Sequence, residues 1–96
     1  MPGLKERLKK DVANISWNEL QPHAKRDAII VVTPNLDLTE VAVAIAEDNT
    51  TIVKGWIAEL LIAKPTAQQL TAWNQTIDKQ FTALIVQPFV LVTEAN

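Results

Sequence analysis

Phe81-Thr82-Ala83-Leu84-Ile85-Val86-Gln87-Pro88-Phe89-Val90-Leu91-Val92 is the stretch on which the fold turns. Two runs rich in β-branched and aromatic residues, Phe81–Val86 and Phe89–Val92, flank a proline, and runs of this kind read as strands. Proline has no N–H to give to a ladder, so Gln87-Pro88 marks a bulge, a turn or an edge. The segment holds more apolar side chains than one face of one short strand can bury. It predicts either a central strand covered on both faces or a surface that meets another chain, which would make a homodimer.

Upstream, Ala28-Ile29-Ile30-Val31-Val32 is continuous and β-branched, bounded by Asp27 and by Thr33-Pro34-Asn35. That predicts a buried strand with cover on both faces or a central place in the sheet. The other segments repeat with a helical period. Leu4, Leu8, Val12 and Ile15 form one face of a first helix, with Arg7, Lys9 and Lys10 outside. Ser16-Trp17-Asn18-Glu19 has the form of a capping box, with Ile15 and Leu20 as its hydrophobic staple. A second helix is therefore expected from Trp17 toward Lys25, bent or shortened at Pro22. Asp37-Leu38-Thr39-Glu40 repeats the capping logic, Glu40 reaching back, for a third helix through Ala46 with Leu38, Val41, Ala42 and Ile45 inward. The fourth helix has the strongest period: Ile52, Val53, Trp56, Ile57, Leu60 and Leu61 are expected inward, and Lys64-Pro65 stops it. Thr66-Ala67-Gln68-Gln69 opens a fifth helix, with Leu70, Trp73 and Ile77 inward. The expected fold class is α+β, about five helices packed on a small antiparallel sheet in a single domain, residues 1–96.

Composition narrows the function classes. Hydrophobic residues make up 48% of the 96, which suits a folded core rather than a disordered chain. No cysteine is present, so disulfides, thiolate zinc sites and cysteine nucleophiles are excluded. The apolar runs are far shorter than a membrane span, and Met1 to Arg7 lead into a charged helix without the apolar stretch of a signal peptide. The cytoplasm is the expected location. The net charge of −2 is uneven: residues 27–63 set Asp27, Asp37, Glu40, Glu47, Asp48 and Glu59 against Lys54 alone.

A set of tokens spread along the chain resembles a known family. They are Trp17-x-x-Leu20-x-Pro22-His23, Leu36-Asp37-Leu38-x-Glu40-Val41-Ala42, Trp56, Lys64-Pro65-Thr66, Trp73 and Leu84-Ile85-Val86-Gln87-Pro88-Phe89-Val90-Leu91. Together they are similar to a short bacterial family of uncharacterised proteins, domain of unknown function number twenty-two eighty-eight, over Leu4 to Val92. The resemblance implies no activity.

The residues themselves offer little chemistry. His23, the single histidine, could act as a base, but it also suits a helix end, where a partial positive charge is favourable. A metal site would need further ligands, and neither a second histidine nor a cysteine exists. Asp37 and Glu40 already have capping work, and Glu47-Asp48-Asn49-Thr50 lacks the spacing of a calcium loop. Trp17, Trp56 and Trp73 could stack on bases or sugars; a core role for at least two of them is the simpler reading. The two glycines, Gly3 and Gly55, build no phosphate loop, and Ser16 is committed to a cap.

One signal is topological. A strand, two helices joined by a four-residue turn, and later strands resemble a winged-helix order, with Thr51–Leu61 as recognition helix. Thr50, Thr51, Lys54 and Lys64 would then meet DNA. The acidic middle of the chain opposes that, because phosphate binding needs an excess of Lys and Arg. An extra helix, Thr66–Asp78, also stands where a wing would be. The expectation is thus a small non-catalytic interaction or regulatory module without catalytic residues, cofactor or metal. Its partner is a protein or a second copy, rather than nucleic acid or a membrane. The surface to search first lies around Trp17, His23, Gln87, Pro88 and Phe89. The alternatives are a winged-helix DNA-binding protein and a small enzyme using His23.

Overall fold

Of the alternatives open at Gln87-Pro88, the turn is the one found: residues 81–92 form a hairpin, and it lies in the middle of the sheet. In the computed structural model, which describes residues 3–94, the elements in chain order are α1 (Leu4–Asp11), β1 (Ala13–Ser16), α2 (Trp17–Lys25), β2 (Ile29–Val32), α3 (Leu38–Ala46), α4 (Thr50–Ala58), β3 (Ile62–Ala63), α5 (Ala67–Asn74), β4 (Gln80–Val86) and β5 (Phe89–Glu94). The strand order is β1-β4-β5-β2-β3. The β4–β5 pair is antiparallel, with Val86 opposite Phe89 and the Gln87–Pro88 peptide cis between them. The sheet is mixed rather than antiparallel throughout, because β2 runs parallel to β5.

Alternation along the strands explains their unbroken apolar runs. Phe81, Ala83, Val90, Val92 and Ile29 point to one face, where α2 supplies Trp17 and Leu20 and α5 supplies Trp73. Leu84, Val86, Leu91 and Val32 point to the other, where α3 brings Leu38, Val41 and Ala42, and Leu8 and Val12 come from the α1 end. Both faces of β4, β5 and β2 are covered over most of their length; Ile85 of β4 is the apolar exception, 47% exposed. Burying one such large side chain stabilises by about 1.5–3 kcal/mol. Apart from Ile85 and the half-buried Phe89, the apolar residues of Phe81–Val92 are buried inside the chain, so the length of the run by itself does not call for a second copy.

The first face is anchored by three aromatic rings. Trp17 and Trp73 lie 5.0 Å apart between centroids, Trp73 and Phe81 4.9 Å, and Trp17 and Phe81 5.7 Å. The Trp73–Phe81 pair meets edge to face, the arrangement that the ring quadrupoles favour.

Several local expectations are corrected. The first helix ends at Asp11, and Ile15 belongs to β1 opposite Phe81 instead of continuing a helical stripe. Ser16 is the N-cap of α2 but makes no side-chain capping bond. The helix N–H groups go elsewhere: Trp17 donates to the Lys79 carbonyl at 2.8 Å and Asn18 to the Ile77 carbonyl at 2.9 Å. Asp37 does cap α3, accepting from the Thr39 N–H at 2.8 Å, whereas Glu40 pairs with Lys5 of α1 at 4.0 Å. Thr66 and Gln69 form a capping box at the start of α5. That helix ends at Asn74, so Ile77 falls outside it and is exposed. With α5 standing between β3 and β4 and the last hairpin held in the centre of the sheet, no hairpin among the described residues is free to project as a wing.

Candidate functional site

Helix α4 departs furthest from expectation. None of its residues is buried; only Val53 and Trp56 are half-buried against the second face of the sheet. Ile52 and Ile57 flank these two on the helix surface and are 42% and 52% exposed. At 100° per residue, the four large apolar positions inside the helix, Ile52, Val53, Trp56 and Ile57, span about 140°, wider than the roughly 100° stripe a surface helix needs. The domain covers the middle of that arc and leaves its sides in water.

The chain leaves α4 through a Schellman turn. Leu60 donates its N–H to the Ile57 carbonyl at 3.0 Å and Leu61 to the Trp56 carbonyl at 2.9 Å. The turn requires a left-handed residue, and Leu60 fills it at φ 61. Asp27 and Asp48 hold the equivalent places after α2 and α3, at φ 59 and 56. Aspartate tolerates this conformation; for leucine it costs about 1–2 kcal/mol. The same turn swings the Leu60 side chain off the helix and leaves it 81% exposed.

Between α4 and the sheet lies a cleft of about 600 Å³. Its floor is Ile30, Ile62 and Phe89, one wall is Ala44 and Ile45 of α3, and the other is Val53, Ile57 and Leu60. The charged groups sit around this apolar interior: Asp27, Asp48, Lys54 and Lys64. Lys64 donates to Asp27 across the opening. Lys54 and Asp48 make no ion pair among the described residues.

The residues singled out in the sequence divide around this cleft. Phe89 lines it, and so do Thr50, Lys54 and Lys64, while Thr51 is exposed on α4 and does not. Gln87 and Pro88 are exposed at the tip of the hairpin that carries Phe89. Trp17 is a correction: it is 1% exposed, inside the aromatic core, with its Nε1 donating to Asn74 Oδ1 at 2.7 Å. It cannot form part of a surface. His23 stands at the last turn of α2 with its Nδ1 against an Arg26 guanidinium nitrogen, and it lines neither this cleft nor a smaller hollow beside Lys9, Asp37 and Thr93. No carboxylate or hydroxyl is bonded to it among the described residues. The described residues hold no group of three or more His, Asp or Glu able to grip a metal.

Sequence reasoning missed Ile57 and Leu60 as exposed residues, and Ile30, Ala44, Ile45 and Asp48 as their neighbours. The over-wide apolar arc of α4 was the available signal. Among the residues lining the cleft, two lysines, Lys54 and Lys64, stand with two aspartates, Asp27 and Asp48, and Lys64 is engaged by Asp27, so this face carries no cationic excess of the kind that neutralises phosphates.

The family model for "Protein of unknown function (DUF2288)" matches residues 3–94. No curated protein matches the chain. Among solved structures, the chain is similar to the NMR solution structure of PA1075 from Pseudomonas aeruginosa, with 33% identity over 97% of this chain and 85% of that one and a TM-score of 0.80. No helix among the described residues is long and apolar enough to cross a membrane.

Proposed function

The chain belongs to the family of proteins of unknown function DUF2288, and for this member we propose the role of a small non-catalytic interaction module that seats apolar side chains of a protein partner in the α4 cleft. The observation that carries this reading is Leu60. It stands in a backbone conformation unfavourable to leucine and exposes most of its side chain to water, so it contributes to folding neither by conformation nor by burial. Residues that break a local rule without helping the fold concentrate where function needs them. The volume and lining of the cleft agree, since binding sites are concave, mainly apolar and edged by few polar groups. The cytoplasm is the compartment we propose, which the cysteine-free composition fits.

The test is equilibrium unfolding of Ile57→Ser and Leu60→Ser in dilute solution. A partner-binding surface predicts changes within about 0.5 kcal/mol, as for ordinary surface positions. A loss above about 2 kcal/mol, typical of core residues, would show that these side chains serve the fold and would remove the reading.

A further inference from the structure

We propose that the occupant of the α4 cleft is the α4 face of a second copy of this chain, related by a two-fold axis. The inference rests on the interaction-module reading above and names its partner. Two features of the face select a copy of itself. First, a hole and a knob lie side by side: the cleft floor at Ile30, Ile62 and Phe89, and the lip at Ile57 and Leu60, with Leu60 81% exposed. A face with both elements can be complementary to itself, which is the condition for a two-fold interface. Leu60 lines the cleft and, at 81% exposure, also stands clear of it, so a ligand confined to the hollow would cover only its inner side.

Second, the charges on the rim are balanced. Lys64 and Asp27 satisfy each other within the chain. Lys54 and Asp48 remain, one of each sign, on the same opening. A partner of uniform charge would gain at one of them and be repelled at the other. A two-fold copy sets Lys54 of each protomer toward Asp48 of the other and matches both, twice. Unlike charges facing each other in this way fix register and exclude wrong partners.

The experiment is sedimentation equilibrium from low micromolar to near-millimolar concentration, with charge-reversed variants. The unaltered chain is expected to be a monomer–dimer system. Lys54→Glu alone sets Glu against Asp48, and Asp48→Lys alone sets Lys against Lys54, so each is expected to raise the dimer dissociation constant by about tenfold or more. An equimolar mixture of the two variants restores both opposite-sign pairs and is expected to return dimerisation to within about threefold of the original. Ile57→Glu provides an arm that does not touch the charges: a monomer with unchanged circular dichroism is expected. A strict monomer at every concentration overturns the proposal, as does charge reversal without effect, a mixture that fails to restore the dimer, or an Ile57→Glu chain that folds and still dimerises. If the chain is strictly monomeric while Ile57→Ser and Leu60→Ser leave stability unchanged, the second copy is wrong and the interaction surface stands.

Discussion

Trp17 Nε1 and Asn74 Oδ1 meet at 2.7 Å, joining the first residue of α2 to the last residue of α5 across the aromatic core. Gln21 donates to the same oxygen at 3.2 Å. Asn74 is thus the acceptor that lets a buried indole keep its N–H bonded. Asn74→Ala leaves that donor unpartnered and is expected to lower stability by about 1–3 kcal/mol in urea unfolding. Asn74→Asp keeps an acceptor oxygen and should lose less. Equal losses for the two would show that the bond is not what matters.

Leu60 yields the opposite sign. Leu60→Gly relieves the left-handed conformation at φ 61 and forgoes almost no burial. Thermal or urea unfolding below the dimerisation range should show a gain of about 1 kcal/mol, reduced somewhat by the added freedom of glycine in the unfolded chain. A loss would mean that the Leu60 side chain supports the fold in spite of its exposure.

The Thr93 hydroxyl is buried with no protein partner among the described residues. Valine has nearly the same shape, keeps the β-branching a strand prefers and carries no polar group. Thr93→Val is expected to raise the unfolding midpoint, by about 1 kcal/mol of stability. An unchanged midpoint would show that the hydroxyl is satisfied in solution.

Two caps that look alike in the sequence should behave differently. Thr66 accepts the Gln69 N–H at 3.1 Å while Gln69 Oε1 accepts the Thr66 N–H at 2.9 Å; Thr66→Ala should cost about 1 kcal/mol. Ser16 makes no capping bond, so Ser16→Ala should change stability by less than about 0.5 kcal/mol. Comparing the two denaturation curves checks both.

The contrast also shows what could be read in advance. Thr66, Asp37 and the strand runs act over a few residues, and local chemistry sufficed to place α5, α3, β2, β4 and β5. Ser16-Trp17-Asn18-Glu19 satisfied the same local rule, yet the N–H groups of Trp17 and Asn18 are taken by Lys79 and Ile77, some sixty residues away. Ile15 likewise fits a helical period until its pairing with Phe81 is known. Two-residue β3 carries too short a signal to detect. At the candidate site, Phe89, Lys54 and Lys64 were picked out for separate reasons, and their meeting at one cleft depends on tertiary placement. The exposure of Ile57 and Leu60 was hidden because helical periodicity reports an apolar side and is silent about what covers it. Trp17 was misplaced for the same reason in reverse.

The central position of the β4–β5 hairpin bears on how the molecule is made. Among the described residues β1 and β2 share no ladder and are joined only through β4 and β5, which leave the ribosome after α1 to α5. Until then the indoles of α2 and α5 and the apolar side chains of α3, Leu38, Val41 and Ala42, have no sheet to rest on, beyond the two-residue pairing of β2 with β3. Closure needs contacts between distant parts of the chain, which are slow to form and leave apolar surface unprotected meanwhile. A nascent chain halted before Gln80 is therefore a substrate for chaperones and proteases, and folding becomes a single late event.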